Sequence, residues 1–256
     1  ADDKRLHRLM SYVHHTRDHT MKSFVGDKIE DIQLMQFCDA SFAGDLTDSK
    51  STSGCILCIV GPNTFCPISW MCKKQGAVSH SSTEAEVIAL DAAVRMEALA
   101  ALSLWDLVIE VMSDNIKTRP ARKLDEFGMI ITPPGQKSGA DWYTRKGDRE
   151  IANDPFNVDY VPPNVFKICD YAKLTILEDN DAVIKMCVKG RSPNMRHVQR
   201  THRVDLDWLF ERLQKDKAIN MKYINTKQQL ADVFTKGSFT ESTWKVLLKL
   251  IQIGNK

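Results

Sequence analysis

LMQFCDASFAGDLTDSKSTSG, residues 34–54, opens as an apolar run of Leu34, Met35, Phe37 and Cys38, long enough for one buried strand. Asp39 sits at the end of that run. The turn-rich Gly44-Asp45-Leu46-Thr47-Asp48-Ser49 follows, and a second apolar run starts at Cys55. The pattern predicts a strand, a loop and an antiparallel return strand. A carboxylate in an apolar strand is costly unless a buried cation or a metal pairs with it.

Working outward, Gly61-Pro62-Asn63 is a turn and residues 67–72 (PISWMC) are a third strand, so the three make an antiparallel meander. The segment Ser81-Ser82-Thr83-Glu84-Ala85-Glu86 offers two S/T-x-x-E capping boxes, Ser81 with Glu84 and Thr83 with Glu86. The Ala-, Leu- and Met-rich residues 87–111 then predict a long helix. Order resumes at Lys173. Residues 174–177 form a strand ending in Glu178-Asp179-Asn180-Asp181, and residues 182–188 and 204–213 form helices. Residues 219–224 alternate as a last strand, Thr226 caps a helix through residue 234, and residues 244–253 are a terminal helix. The order β-β-β-α-β-α-α-β-α predicts an α/β fold, a mixed sheet with helices on its faces.

Composition sets the bounds. Apolar content of 43% and charged content of 27% describe a globular protein, and a net charge of +2 is too small to diagnose a partner. No apolar run is long enough for a membrane span, and no signal peptide is visible, so no membrane partner is expected. Seven cysteines without regular spacing suggest a reduced, intracellular protein. Cys55 and Cys58 form a C-x-x-C, but in a strand residues three apart face opposite sides, and no second C-x-x-C completes a zinc site. Residues 1–30 read as a lead-in, with an amphipathic helix over 3–16 that places Leu6, Leu9, Met10 and Val13 at helical spacing. The chain opens without an initiator Met, as a fragment or a processed protein would. Residues 31–256 are the main domain. Within it, residues 113–172 hold six of the nine prolines and no periodic pattern, and read as a partly disordered insertion. Their basic and acidic residues cancel, so they make no electrostatic arm.

Four acidic positions fall at element boundaries: Asp39, Glu84 or Glu86, Asp179 and Asp232. Side chains at strand ends beside helix N-termini converge on one edge of an α/β sheet. Carboxylates forced together raise one another's pKa, and hard divalent cations such as magnesium or manganese relieve the repulsion. Two such ions roughly 3.5–4 Å apart can clamp the attacking and leaving oxygens of a phosphodiester. Taken singly, an acid at a helix N-terminus only complements the helix dipole.

The runs CDASFAGD (38–45), KSTSG (50–54), ISW (68–70), KKQ (73–75), SSTEAE (81–86), EDN (178–180) and QLADVFTK (229–236) together resemble the ribonuclease H region of copia-type retrotransposon Pol polyproteins, in that family's order. The lead-in KRLHRLMSYVHHTRDHTM is similar to the end of the reverse-transcriptase connection. The resemblance implies a ribonuclease H-like fold, a five-stranded mixed sheet flanked by helices. It also implies a two-metal endonuclease, using Mg2+ or Mn2+, that cuts the RNA strand of RNA/DNA hybrids during reverse transcription. Position by position it implies Asp39, Glu86, Asp179 and Asp232 as catalytic metal ligands, with Asp205 and Asp207 as alternatives for the last. Glu84 and Glu86 lie about 200° apart on a helix, so only one can face the sheet edge. The implied partners are the hybrid and the reverse transcriptase of the same polyprotein, and the implied place is a cytoplasmic virus-like particle or the nucleus. A catalytically inactive nucleic-acid-binding or structural module of the same fold in a Pol polyprotein is the alternative. The family pattern is departed from in the long spacing before Asp179 and around residues 197–204, where extra residues are needed.

A hybrid must be held by its phosphates, and residues 185–203 carry six basic residues and no acid. Lys185, Lys189, Arg191, Arg196 and Arg200 are therefore the expected phosphate rail, with Lys73 and Lys74 as a second candidate. Ser51, Thr52 and Ser53 are expected either at sugar or phosphate or in a turn. Trp70 and Trp208 are expected in the core, and His197 or His202 in a structural or phosphate-contact role.

Overall fold

The computed structural model describes residues 2–44, 47–112 and 172–255. Strands among them are β1 (His19–Met21), β2 (Phe24–Val25), β3 (Gln33–Ser41), β4 (Thr52–Gly61), β5 (Thr64–Lys74), β6 (Leu174–Glu178), β7 (Ile219–Tyr223) and β8 (Ile253–Asn255). β3, β4 and β5 form the expected antiparallel meander, and β6 and β7 extend it beside β3 in parallel. The order across the sheet is β2-β5-β4-β3-β6-β7. The chain is thus α/β, with a mixed sheet flanked by helices. The sheet has six strands where five are expected. The extra one is β2, which pairs Phe24 with Phe65 and Val25 with Thr64 beside β5. Two residues are too short for the alternation from which a strand is read. β1 and β8 pair with each other in a separate two-stranded sheet that the sequence also does not announce.

The chain divides into two compact units, residues 1–109 with 170–256, and residues 110–169. The second lies almost wholly outside the described residues, as does the insertion read over 113–172 apart from Ala172.

β3 explains its own sequence. It is a central strand covered on both faces, so its apolar run is nearly continuous rather than alternating. Phe37 packs with Ile56, Cys58, Leu177, Leu230 and Ile251 in one core cluster. Leu34, Gln36 and Cys38, of the opposite parity, are fully buried. Cys58 shares its cluster with Ile56, two residues away on β4, whereas Cys55 has the opposite parity and turns from it. Burial pushes both thiols up to about 12, so neither is a reactive thiolate or a ready zinc ligand. β5 runs longer than the predicted third strand and carries a bulge where Leu57 faces Ser69 and Cys58 faces Pro67. Pro67 has no N–H to give the ladder, and a bulge is where such a residue is tolerated.

The long helix after β5 begins at Ser82 and runs as α-helix to Ala93. It passes through a π turn at Val94–Ala98 and continues as α-helix over Leu99–Met112. Its cap is the Ser81–Glu84 pair, not Thr83–Glu86. Ser81 Oγ accepts the Glu84 N–H at 3.1 Å, and the Glu84 carboxylate accepts the His80 N–H at 3.2 Å. That leaves Glu86 free of capping duty. Further on, Asn225 rather than Thr226 caps a short 3-10 turn, Thr226–Gln228, and a separate one-turn helix, Asp232–Thr235, follows. The last helix is Glu241–Leu250, capped by Thr240, and the chain then leaves it for β8. No helix among the described residues is long and apolar enough to cross a membrane.

Candidate metal centre

β3 and β6 are parallel neighbours, with Phe37 opposite Leu177. Asp39 and Asp179 stand two residues beyond that pair on their respective chains, with the same parity, so the register brings them to one end of the sheet. Asn180 then stops the strand. Its side chain accepts the Ala182 N–H at 3.0 Å and caps the helix Asp181–Lys189, which closes on Gly190 in the left-handed region. Glu86 arrives from the start of the Ser82–Ala93 helix. One oxygen from each of Asp39, Glu86 and Asp179 lies within 4.8 Å of the other two. They line an open cleft of about 430 Å3 together with Asn180, Asp181 and Lys236.

Asp232 stands beside this trio rather than in it. The segment that carries it is tied down at three points. Gln229, fully buried, donates from Nε2 to the Cys38 carbonyl at 2.8 Å. The Thr235 hydroxyl donates to the Asp39 carboxylate. Gly54 lets the short helix lie against β4, since a Cβ there would stand 2.6 Å from Thr235 Cγ2 and 2.9 Å from Phe234 Cβ. Gly54→Ala is therefore expected to lower stability by about 1–3 kcal/mol through overpacking, read as a lower denaturant midpoint. A midpoint equal to wild type would show that the helix does not need this close approach. Asp232 itself is buried, with one oxygen bonded to Lys236 Nζ at 2.5 Å and Oδ1 without a hydrogen bond.

The electrostatics follow from packing acids together. Burial pushes the Asp39 carboxyl up to about 6; Asp232 and Asp179 add to the rise, and the Thr235 hydroxyl and Lys236 oppose it. Burial takes Glu86 to about 10, with Glu178, Asp39 and Asp179 pushing the same way. Asp232 is raised by burial and held back by Lys236. Glu178, fully buried behind Asp179, is raised well above the carboxylate range by burial. Such a site disfavours its own negative charge. Glu86 Oε2 is buried without a hydrogen bond, as is Asp232 Oδ1. All-oxygen, anionic, under-satisfied donors suit a hard divalent cation, so the residues fit the expected magnesium or manganese.

The remaining candidates scatter. Asp205 caps the helix Leu206–Lys215, accepting the Trp208 N–H at 3.1 Å, and Asp207 lies in that helix's first turn. Neither joins the carboxylate trio. Lys185 pairs with Asp181 on the helix that borders the cleft. Lys189, Arg191, Arg196 and Arg200 are exposed beyond it. Lys73 and Lys74 are exposed at the end of β5, with Lys74 Nζ 3.0 Å from Asp48. Ser51 and Ser53 are buried: Ser51 Oγ accepts the Ala43 N–H of the loop, and Ser53 Oγ, on β4, accepts from Gln75 Nε2 beyond β5. Trp70 is 56% exposed on β5, not in the core, and Trp208 is half-buried. The Glu84 carboxylate lies between two imidazoles, 3.2 Å from His197 Nε2 and 3.3 Å from His202 Nε2. Through the His197 hydrogen bond it ties the basic segment to the start of the long helix, which is the structural one of the two roles expected of those histidines.

Three residues of the site were not singled out from the sequence: Glu178, Thr235 and Lys236. The last two stand inside QLADVFTK, and Lys236 follows Asp232 by four residues, the spacing at which helical side chains meet.

Comparison with known proteins gives partial matches. The chain is 41% identical over 81 residues to the retrovirus-related Pol polyprotein from transposon RE2 of Arabidopsis thaliana, a match covering 32% of this chain and 5% of that protein. It is 37% identical over 90 residues to an uncharacterized mitochondrial protein of Arabidopsis thaliana, covering 35% of each. No family model and no solved structure matches. Over about a third of its length, then, the chain is related in sequence to a retrotransposon Pol polyprotein.

Proposed function

We propose that this chain is a divalent-metal-dependent ribonuclease H, which cuts the RNA strand of RNA/DNA hybrids during reverse transcription of a retrotransposon. The observation that carries the reading is the meeting of Asp39, Glu86 and Asp179 oxygens within 4.8 Å of one another, from a central strand, a helix start and a neighbouring parallel strand. Three antiparallel strands joined to two parallel ones agree with the mixed sheet of a ribonuclease H-like fold, to which β2 adds a short edge. Partial identity to a Pol polyprotein supports the setting.

Asp39, Glu86 and Asp179 would hold one magnesium or manganese ion, and Asp232 with Asp39 would hold a second. Bound there, such ions make water acidic enough to attack at neutral pH and offset charge on the departing oxygen. The chain's own residues supply position. Thr235 fixes the Asp39 carboxylate, and Asn180 fixes the chain at Asp179 by capping the next helix. Gln229 holds the Asp232 segment to β3. Lys185, Lys189, Arg191, Arg196 and Arg200 lie on one continuous stretch that begins beside the cleft, where they would carry the hybrid's phosphates. The test is cleavage of an end-labelled RNA/DNA hybrid. The RNA strand is expected to be cut with Mg2+ or Mn2+, and chelation is expected to stop the reaction. Hybrid that is bound but stays whole across both metals would leave only the binding-module reading.

A further inference from the structure

We propose that Lys236 is an internal cation occupying the Asp39–Asp232 side of the cleft, which a second divalent ion must displace before it can enter. The inference rests on the metal-dependent reading above and specifies how that site loads.

The four carboxylates are not equivalent. Asp39, Glu86 and Asp179 already place three oxygens close enough to share one ion. Asp232 is outside that group, and the ammonium of Lys236 stands on it at 2.5 Å. Lys236 also lines the cleft with the trio. The ammonium is held there by that bond and faces the other carboxylates across the cleft. A single positive charge offsets part of the repulsion but leaves Asp232 Oδ1 without a partner. The lysine side chain is 41% exposed, so it has a route out toward solvent. A divalent ion can take its place only by breaking a charge-assisted hydrogen bond. The trio carries no such tenant among the described residues, so the first ion meets no competitor and the second does.

The experiment uses manganese alone, on the whole chain, without nucleic acid. Equilibrium dialysis counts bound Mn2+, and electron paramagnetic resonance separates an isolated ion from a pair coupled across roughly 4 Å. Wild type is expected to bind one Mn2+ per chain in the range where Lys236→Met and Lys236→Gln bind two. The pair signal should appear only in the variants, with second-site affinity at least about tenfold tighter. Melting curves check that both variants are folded, and two substitutions of different polarity guard against a local collapse by either. A coupled pair in wild type at the same manganese concentration, or a single isolated ion in both variants, overturns the role of Lys236 and leaves the nuclease reading standing. No bound manganese in any form overturns the nuclease reading and this inference together.

Discussion

Asp39→Asn is expected to slow hybrid cleavage by about 10³-fold or more while the protein stays folded. Among the described residues Asp39 is the carboxylate that meets both sides of the cleft. Its oxygen lies within 4.8 Å of those of Glu86 and Asp179, and it accepts the Thr235 hydroxyl from the Asp232 helix. Asn keeps the shape and can still accept that hydroxyl through its carbonyl oxygen. It loses the negative charge that any cation here would need. Stability in chelator should hold or rise at neutral pH, because burial pushes the Asp39 carboxyl up to about 6 and its ionisation there costs the metal-free fold free energy. The two readouts are the cleavage rate on labelled hybrid and the denaturant midpoint in chelator. A rate within tenfold of wild type would remove Asp39 from the centre of the site. A collapsed midpoint would instead make it a structural acid.

That site was legible in the sequence wherever local pattern and chemistry coincide. Asp39 stands out because a charge interrupts an apolar run, and the strand around it is central, as that run requires. Asp179 stands out because a strand ends and an Asn-capped helix begins at the next residue. Helix geometry lets only one of Glu84 and Glu86 face the sheet edge, and the resemblance implies Glu86; in the structure Glu84 is committed to the cap and to a hydrogen bond with His197. Other features left no local trace. β1, β2 and β8 are two or three residues long and exist only through long-range pairing, which no window along the chain can show. Gly54 reads only as the start of the return strand, yet its role is to admit the Asp232 helix, almost two hundred positions away. Trp70 reads as core because tryptophan usually is, but it sits on β5, whose only outer neighbour among the described residues is the two-residue β2. Lys236 could be read only once Asp232 was known to need a counter-charge.

Glu86→Gln is expected to separate fold from function, abolishing cleavage while making the metal-free protein more stable above neutral pH. Burial, and after it Glu178, Asp39 and Asp179, raise Glu86 from 4.5 to about 10. The native state therefore keeps a proton that the unfolded chain has lost. Stability from this group is fully present below the unfolded pKa and falls as pH rises toward the folded one. Between pH 4.5 and 7 the loss amounts to roughly 3 kcal/mol, at about 1.4 kcal/mol per unit. Glutamine binds no proton in either state, so its variant lacks this slope. Asp39 and Glu178, also raised, keep theirs, so the slope is reduced and not removed. Denaturant midpoints measured in chelator at pH 5, 7 and 8 should fall steeply for wild type and gently for Gln, with the curves crossing as pH rises. Adding Mg2+ or Mn2+ should restore wild type, because an ion that binds only the native state stabilises it, and should do little for the variant. Parallel pH curves for the two proteins would mean that Glu86 is not the buried acid of this site. Metal rescue of both alike would place the ion elsewhere. The buried carboxylate is thus a destabilising element of the metal-free fold that becomes favourable only when a cation joins it, which is what a residue kept for metal chemistry, and not for folding, should do.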